Sequence, residues 1–169
     1  VPYMLEKVKI FRKYGIKILT ENIVGSPGET FEMALKTVKI NQEIKPAFAN
    51  CSIFTPYPKL ALTDYAIKHG YFDGDFDKIK ENYYETSILK FKNAEDKNRI
   101  LNLRIFFSTI IAFPLLEKPL LFLTRYKTNR FFTLYGKLVD GYFLFKTLPF
   151  PFSFSNFVKT TFSFLTKRR

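Results

Sequence analysis

The stretch Ile23-Val24-Gly25-Ser26-Pro27-Gly28-Glu29-Thr30 constrains the rest of the chain more than any other. An apolar strand runs into a Gly-Ser-Pro-Gly turn, and a helix opens straight after it. Two glycines and a proline within four residues demand backbone angles that most residues avoid. In α/β folds, ligands sit at the C-terminal ends of parallel strands. An ordinary tight strand-to-helix turn has the same spacing, so the turn alone assigns no ligand. The helix can be capped in two ways. Ser26 and Glu29 form a Ser-x-x-Glu capping box with Pro27 at the first helical position; alternatively, Thr30 caps a slightly later start. Both arrangements leave several N–H groups beside the glycine turn, which favours a negative or polar ligand edge.

The flanking sequence places this turn in an α/β frame. Over Pro2–Tyr14, Met4, Val8 and Phe11 share one helical face with Leu5 alongside, and Gly15 stands where a left-handed residue ends a helix. Ile16–Val24 reads as a strand, but its centre, Thr20-Glu21-Asn22, is polar for a buried parallel strand. Either Glu21 or Asn22 points into a barrel lumen or cleft, or that end of the strand is simply wet. A helix over Thr30–Ile44 puts Phe31, Ala34, Leu35 and Val38 on one face. Ala47–Thr55 reads as a second strand, stopped by Pro56-Tyr57-Pro58, where two prolines remove ladder donors. A short helix, Leu60–His69, follows with Leu62, Tyr65 and Ala66 inward and Gly70 closing it. Helix, strand, helix, strand, helix with short connections is α/β with parallel strands. Two strands cannot make a sheet that stands alone. The chain also opens at Val1-Pro2, inside what reads as a helix. The expectation is therefore the C-terminal part of a longer protein, with its remaining strands upstream.

Gly-Ser-Pro-Gly-Glu-Thr after one strand and Phe-Thr-Pro-Tyr-Pro after the next resemble the radical S-adenosylmethionine enzymes, and more narrowly the branch that carries a cobalamin-binding domain. The likeness covers residues 3–90. It implies that they are the last two βα units of a partial TIM-type (β/α)6 barrel, followed by a mainly helical C-terminal region over 91–169. By resemblance, Ile23, Gly25 and Glu29 pack against the S-adenosylmethionine adenosine, and Ile53, Phe54, Thr55 and Pro56 give the adenine backbone hydrogen bonds and an apolar wall. It also implies a [4Fe–4S] cluster with ligands upstream of this chain, cobalamin in an upstream domain, and an electron donor for the cluster. The reaction implied is hydrogen abstraction by a 5′-deoxyadenosyl radical, ahead of methyl transfer or cyclisation on a small-molecule or lipid-like substrate. Two departures stand out. The family's Pro-Tyr-Pro-Gly-Thr becomes Pro-Tyr-Pro-Lys59-Leu60, losing the free glycine backbone and the helix cap. The three-cysteine cluster motif is absent, and Cys51 is the single cysteine.

Other constellations carry less. Asp73-Gly74-Asp75-Phe76-Asp77 looks like a calcium loop, but an EF-hand needs Gly at loop position 6 and Glu at 12, where Lys78 and Tyr84 stand; a solvated turn is the simpler reading. His69, the sole histidine, suits a helix C-terminus better than catalysis. Cys51, with no second cysteine, reads as a small buried residue, compatible with a cytoplasmic setting. Tyr57 either reaches a substrate or packs on the following helix.

Charge divides the chain. Residues 1–90 carry 13 Lys/Arg against 11 Asp/Glu, and residues 91–169 carry 14 against 4 together with 15 of the 21 phenylalanines. A boundary is expected near Lys90–Asn98. In the second part a helix is expected over Ala94–Phe113, with Ile100, Leu103, Phe107 and Ile111 stacked and Asn93 as cap. A possible helix over Ser155–Arg169 ends the chain. The apolar run Ile105–Leu116 is too short to span a bilayer, which takes about 20 apolar residues. This basic, aromatic part has three readings: helices packed on the barrel, peripheral attachment to an anionic membrane surface, or nucleic-acid binding, for which no motif is recognisable. The rival to an enzyme is a membrane- or partner-binding module that keeps barrel-like packing without catalysis.

Overall fold

The computed structural model of the chain describes residues 2–79, 86–147, 155, 158 and 159. Its elements are α1 (Pro2–Lys13), β1 (Leu19–Val24), α2 (Phe31–Ile44), β2 (Phe48–Ile53), α3 (Ala61–Lys68), α4 (Ala94–Ala112), α5 (Glu117–Leu123) and α6 (Arg130–Thr147), with 3-10 turns at Phe76–Lys78 and Pro114–Leu116. The strands are parallel, in register from Leu19 opposite Phe48 to Val24 opposite Ile53. These residues make a mixed α/β unit that is mainly helical. The expected parallel βα order is present. Two strands close no barrel, so the barrel itself is not shown.

The ends of the early elements follow local chemistry. α1 stops at a left-handed Gly15 (φ +68°), with the N–H of Ile16 reaching the Phe11 carbonyl at 3.0 Å. Of its expected apolar face only Val8 is buried, and Met4 and Phe11 stay exposed. α1 leans on α2 at one end, where the Arg12 guanidinium donates to the Ile44 carbonyl. β1 starts later than its β-branched run suggests, because β2 begins only at Phe48, after Pro46. α3 is rotated from the expected face. Thr63 and Ala66 point inward, and Leu62 and Tyr65 are exposed. The small Ala66 lets the helix come close to Phe54, Phe72 and Leu89, a packing that bulkier residues would prevent.

Alternation along the strands gives the sheet two unlike faces. Val24, Ala49, Cys51 and Ile53 face the helices, joining Phe31, Ala34 and Val38 of α2 and Ile100, Leu103, Phe107 and Ile110 of α4 in one core. A polar layer is built into this side. The Thr20 hydroxyl donates to Asn41 at 2.6 Å, the Asn41 amide donates to Asn22 at 2.7 Å, and the Asn22 amide donates to the Asn50 carbonyl at 2.8 Å. On the other face stand Leu19, Glu21 and Ile23, all exposed, opposite Phe48, Asn50 and Ser52.

α4 is the hub. Asn93 caps it, accepting from the Asp96 N–H at 2.5 Å, and residues around its whole circumference are buried, as expected of a helix enclosed by other elements. It packs on α2, on β2, on α5 and on α6. The core therefore runs continuously across the change of composition near Lys90–Asn98. α4 also seals the outer edge of β2. Arg104 Nε donates to the Cys51 carbonyl at 3.2 Å, and the Ser108 hydroxyl lies 3.0 Å from the Ala49 carbonyl. α6 crosses α4 closely at Gly136, where a Cβ would sit 3.1 Å from Ile105 Cγ2. Asn98 and Asn102 of α4 hold the turn between α5 and α6, Asn102 donating to the Tyr126 carbonyl at 2.6 Å and accepting from the Thr128 hydroxyl at 2.8 Å. Among the described residues no helix is long and apolar enough to cross a membrane. The expected helix Ser155–Arg169 lies outside the described residues save Ser155, Val158 and Lys159.

Candidate functional site

The C-terminal ends of β1 and β2 lie side by side, tied by the Phe54 N–H donating to the Val24 carbonyl at 2.8 Å. Gly25 (φ +78°) and Gly28 (φ +81°) both take the left-handed conformation the sequence demands there. A Cβ on Gly25 would lie 3.5–3.6 Å from Ile100, Ile53 and Phe91, and one on Gly28 would lie 3.0 Å from the Tyr71 hydroxyl. The Cβ positions of both glycines thus point at residues far away in sequence. Tyr71, Phe91 and Ile100 belong to the wall of this turn, and no local pattern could have announced them.

Of the two caps, Thr30 is the one used. Its hydroxyl accepts from the Met33 N–H at 3.3 Å. Ser26 and Glu29 instead close the turn on itself, with the Glu29 carboxylate accepting from the Ser26 N–H at 2.9 Å and the Glu29 N–H reaching the Ser26 carbonyl at 3.0 Å. Burial raises the Glu29 pKa, opposed by the N–H groups of Ser26 and Gly25. The Phe31 N–H faces Asp96 Oδ1 at 3.4 Å. This corrects the expectation of N–H groups awaiting a negative ligand: the chain's own carboxylates, Glu29 and Asp96, occupy that edge. A phosphate would meet two acids.

The residues expected at the nucleoside slot divide by orientation. Ile23 is 59% exposed and projects from the open face. Thr55 and Glu29 are half-buried beside it in the chain path. Gly25, Ile53, Phe54 and Pro56 are buried, Ile53 in the main core and Phe54 in the second cluster with Ala66, Phe72 and Leu89. All four are enclosed, and the Phe54 N–H is already committed to the ladder.

The open face adds what motif reading left undecided. Glu21 projects there and accepts from the Asn50 amide at 2.6 Å, with Ile23 and Ser52 as the next pair toward the strand ends. Asn22 points the other way and is consumed by the layer under α2. The face thus offers an apolar surface at Ile23 beside a carboxylate–carboxamide pair, a surface suited to a flat group that carries hydroxyl or amine donors.

The loop after β2 meets its two substitutions differently from expectation. Lys59 adopts the left-handed conformation itself (φ +65°), so the turn survives without glycine. Leu60 stands at the N-cap of α3 with no side-chain hydrogen bond. The acidic loop is a solvated turn. Asp73 accepts from the Asp75 N–H, Asp75 accepts from the Asp77 N–H, both at 3.1 Å, and Lys78 pairs with both carboxylates. His69 ends α3 with its ring 4.2 Å from that of Tyr65. Cys51 is buried on the helix side, and burial drives its thiol pKa far up. Among the described residues, no three His, Cys, Asp or Glu side chains converge to hold a metal ion. A cleft of 430 Å³ at the start of α6, lined by Thr128, Asn129, Arg130, Thr133, Leu134 and Lys137, involves none of the residues at the strand ends.

No family model and no solved structure matches the chain. Over 63 residues it is 36% identical to an uncharacterized methyltransferase of Pyrococcus horikoshii, a stretch that spans 37% of this chain and 14% of the relative. The chain thus covers a small part of that protein's length, and the similarity to it is partial.

Proposed function

We propose that this chain supplies one wall of the S-adenosylmethionine site of a methyltransferase of the radical S-adenosylmethionine type. The observation that carries the reading is the pair of parallel strand ends with an open face, where Ile23, Glu21 and Asn50 stand next to a glycine turn already neutralised by Glu29. A sulfonium nucleoside is a better tenant than a phosphate, because its positive sulfur favours neighbouring carboxylates and its adenine wants an apolar surface. The partial likeness to a methyltransferase supports methyl transfer as the outcome.

The partial barrel belongs to this proposal. α1 and α2 touch, and the connection from β1 through α2 to β2 is a parallel crossover. Such crossovers are right-handed, and a helix beside α2 that feeds β1 supports reading these residues as consecutive βα units of a larger barrel. The described residues do not fit an iron–sulfur cluster, since the single cysteine is buried against α4 and is held as a thiol. A cluster, like cobalamin, would have to be bound by other parts of the full protein.

Calorimetric titration of the full-length protein with S-adenosylhomocysteine tests the reading. Replacing Ile23 by Ala removes most of the exposed apolar surface and is expected to weaken binding about tenfold, and Glu21→Gln is expected to weaken it less. Wild-type affinity in a folded Ile23→Ala protein would remove these strand ends from the site.

A further inference from the structure

α6 carries a second apolar surface that the core does not use. Phe131 is 83% exposed, and Leu134, Leu138 and Tyr142 are each 40% exposed or more. Their spacing of three, four and four residues sets them along one side of the helix, roughly 16 Å from end to end at 1.5 Å per residue. The opposite side is spent on packing, with Gly136 against Ile105, Phe143 stacked on Phe48, and Asp140 beside Ser108 and Arg104.

Charge decides what the stripe meets. From Thr124 to Thr147 the cations are Arg125, Lys127, Arg130, Lys137 and Lys146, and the one acid, Asp140, is turned into the α4 joint. On the helical wheel Arg130 and Lys137 flank the stripe on one side and Lys146 on the other, with the Lys146 ammonium 5.9 Å from the Tyr142 ring. A protein partner of ordinary surface would not require cations along both borders. An interfacial helix on an anionic bilayer does, because apolar side chains enter the acyl boundary while lysine and arginine meet headgroup phosphates. The basic cleft at the start of α6 adds hydroxyls to two of these cations. Phe113, Leu115 and Leu116, at the corner between α4 and α5, are likewise exposed, Leu115 at 96%.

We infer that the outer face of α6 binds the surface of an anionic membrane, with Phe131, Leu134, Leu138 and Tyr142 inserted and the flanking cations on headgroup phosphates. The inference is independent of the reading of the strand ends.

The full chain, incubated with vesicles of phosphatidylcholine alone or with about one third phosphatidylserine, reads this out by sedimentation. Pelleting is expected with the anionic vesicles only, and loosening in high salt. Phe131→Glu with Leu138→Glu is expected to lower partitioning about tenfold or more while circular dichroism and the unfolding midpoint stay unchanged. Both positions lie outside the core, so the variant keeps its packing. A chain ending at Thr147 is expected to bind as the full one does, which separates α6 from the tail. Failure to pellet with anionic vesicles overturns the inference. So does undiminished binding by the double variant, loss of binding on removing the tail alone, or a concentration-dependent dimer that the double variant abolishes.

Discussion

Lys59 and Leu60 show how much strain a few side chains can carry. A non-glycine residue in the left-handed region costs roughly 1–2 kcal/mol, and a helix start without a side-chain cap forgoes about 1 kcal/mol. Both conditions hold where β2 hands over to α3. Lys59→Gly combined with Leu60→Thr is therefore expected to stabilise the protein by about 1–2 kcal/mol in urea unfolding, and no gain would mean that the loop's strain is relieved elsewhere. The sequence already marked this position as unusual, since a lysine and a leucine stand where glycine and threonine fit the turn. That the turn would keep its geometry was not readable, because left-handed strain is tolerated wherever surrounding packing over-determines it. Glu29 repeats the lesson. Ser-x-x-Glu was visible, but whether it capped the helix or closed the turn depended on Thr30 competing for the same helix start.

At the scale of elements, the helices and strands on either side of the glycine turn were legible from periodicity, and their faces less so. α4 was expected from stacked apolar positions and a capping Asn93, but a helix buried around its whole circumference has no single face to read. Its side chains at Arg104 and Ser108 close a strand edge 50-odd residues earlier, a contact no local window contains. The joint between α4 and α6 is also the place to look for a pH dependence. Burial holds the Asp140 carboxyl above the usual aspartate range, with Arg104 and Ser108 pulling the other way. A carboxyl with a raised folded value binds its proton more tightly when folded. Its contribution to stability is therefore complete below the unfolded value of about 4 and is lost as pH rises through the folded one. Urea titrations of wild type and Asp140→Asn across pH 3–8 are expected to show wild type losing ground to the variant as pH rises through that window and then holding level. A difference that does not change with pH would show that Asp140 has no raised value.

For the molecule as a whole, composition marks a division that packing does not observe. The basic, phenylalanine-rich second part begins near Lys90–Asn98, and its first helix completes the core of the first. Residues 1–92 alone lack Ile100, Leu103, Phe107 and Ile110, which lie against α2 and the sheet. The full chain is expected to lose its far-ultraviolet signal and its buried Cys51 protection in one cooperative thermal transition, and a fragment ending at 92 to show no such transition. Two separated transitions in the full chain would mean that α4 is a detachable cover. Surface chemistry was what the amino-acid counts could report. Which surfaces meet was settled by side-chain fit, as at Gly136 under Ile105.

α4 covers one edge of the sheet, and among the described residues no strand pairs with the other. α4 takes the outward carbonyls of β2, so further strand pairing has a single direction in which to proceed, from β1. Bare edges of that kind also recruit the wrong chains, and a strand reading Leu-Thr-Glu-Asn-Ile-Val without its charge would be a seed for fibrils. Glu21, set between exposed Leu19 and Ile23, then acts as a gatekeeper: two apolar edges brought together in parallel register would force two carboxylates into one another.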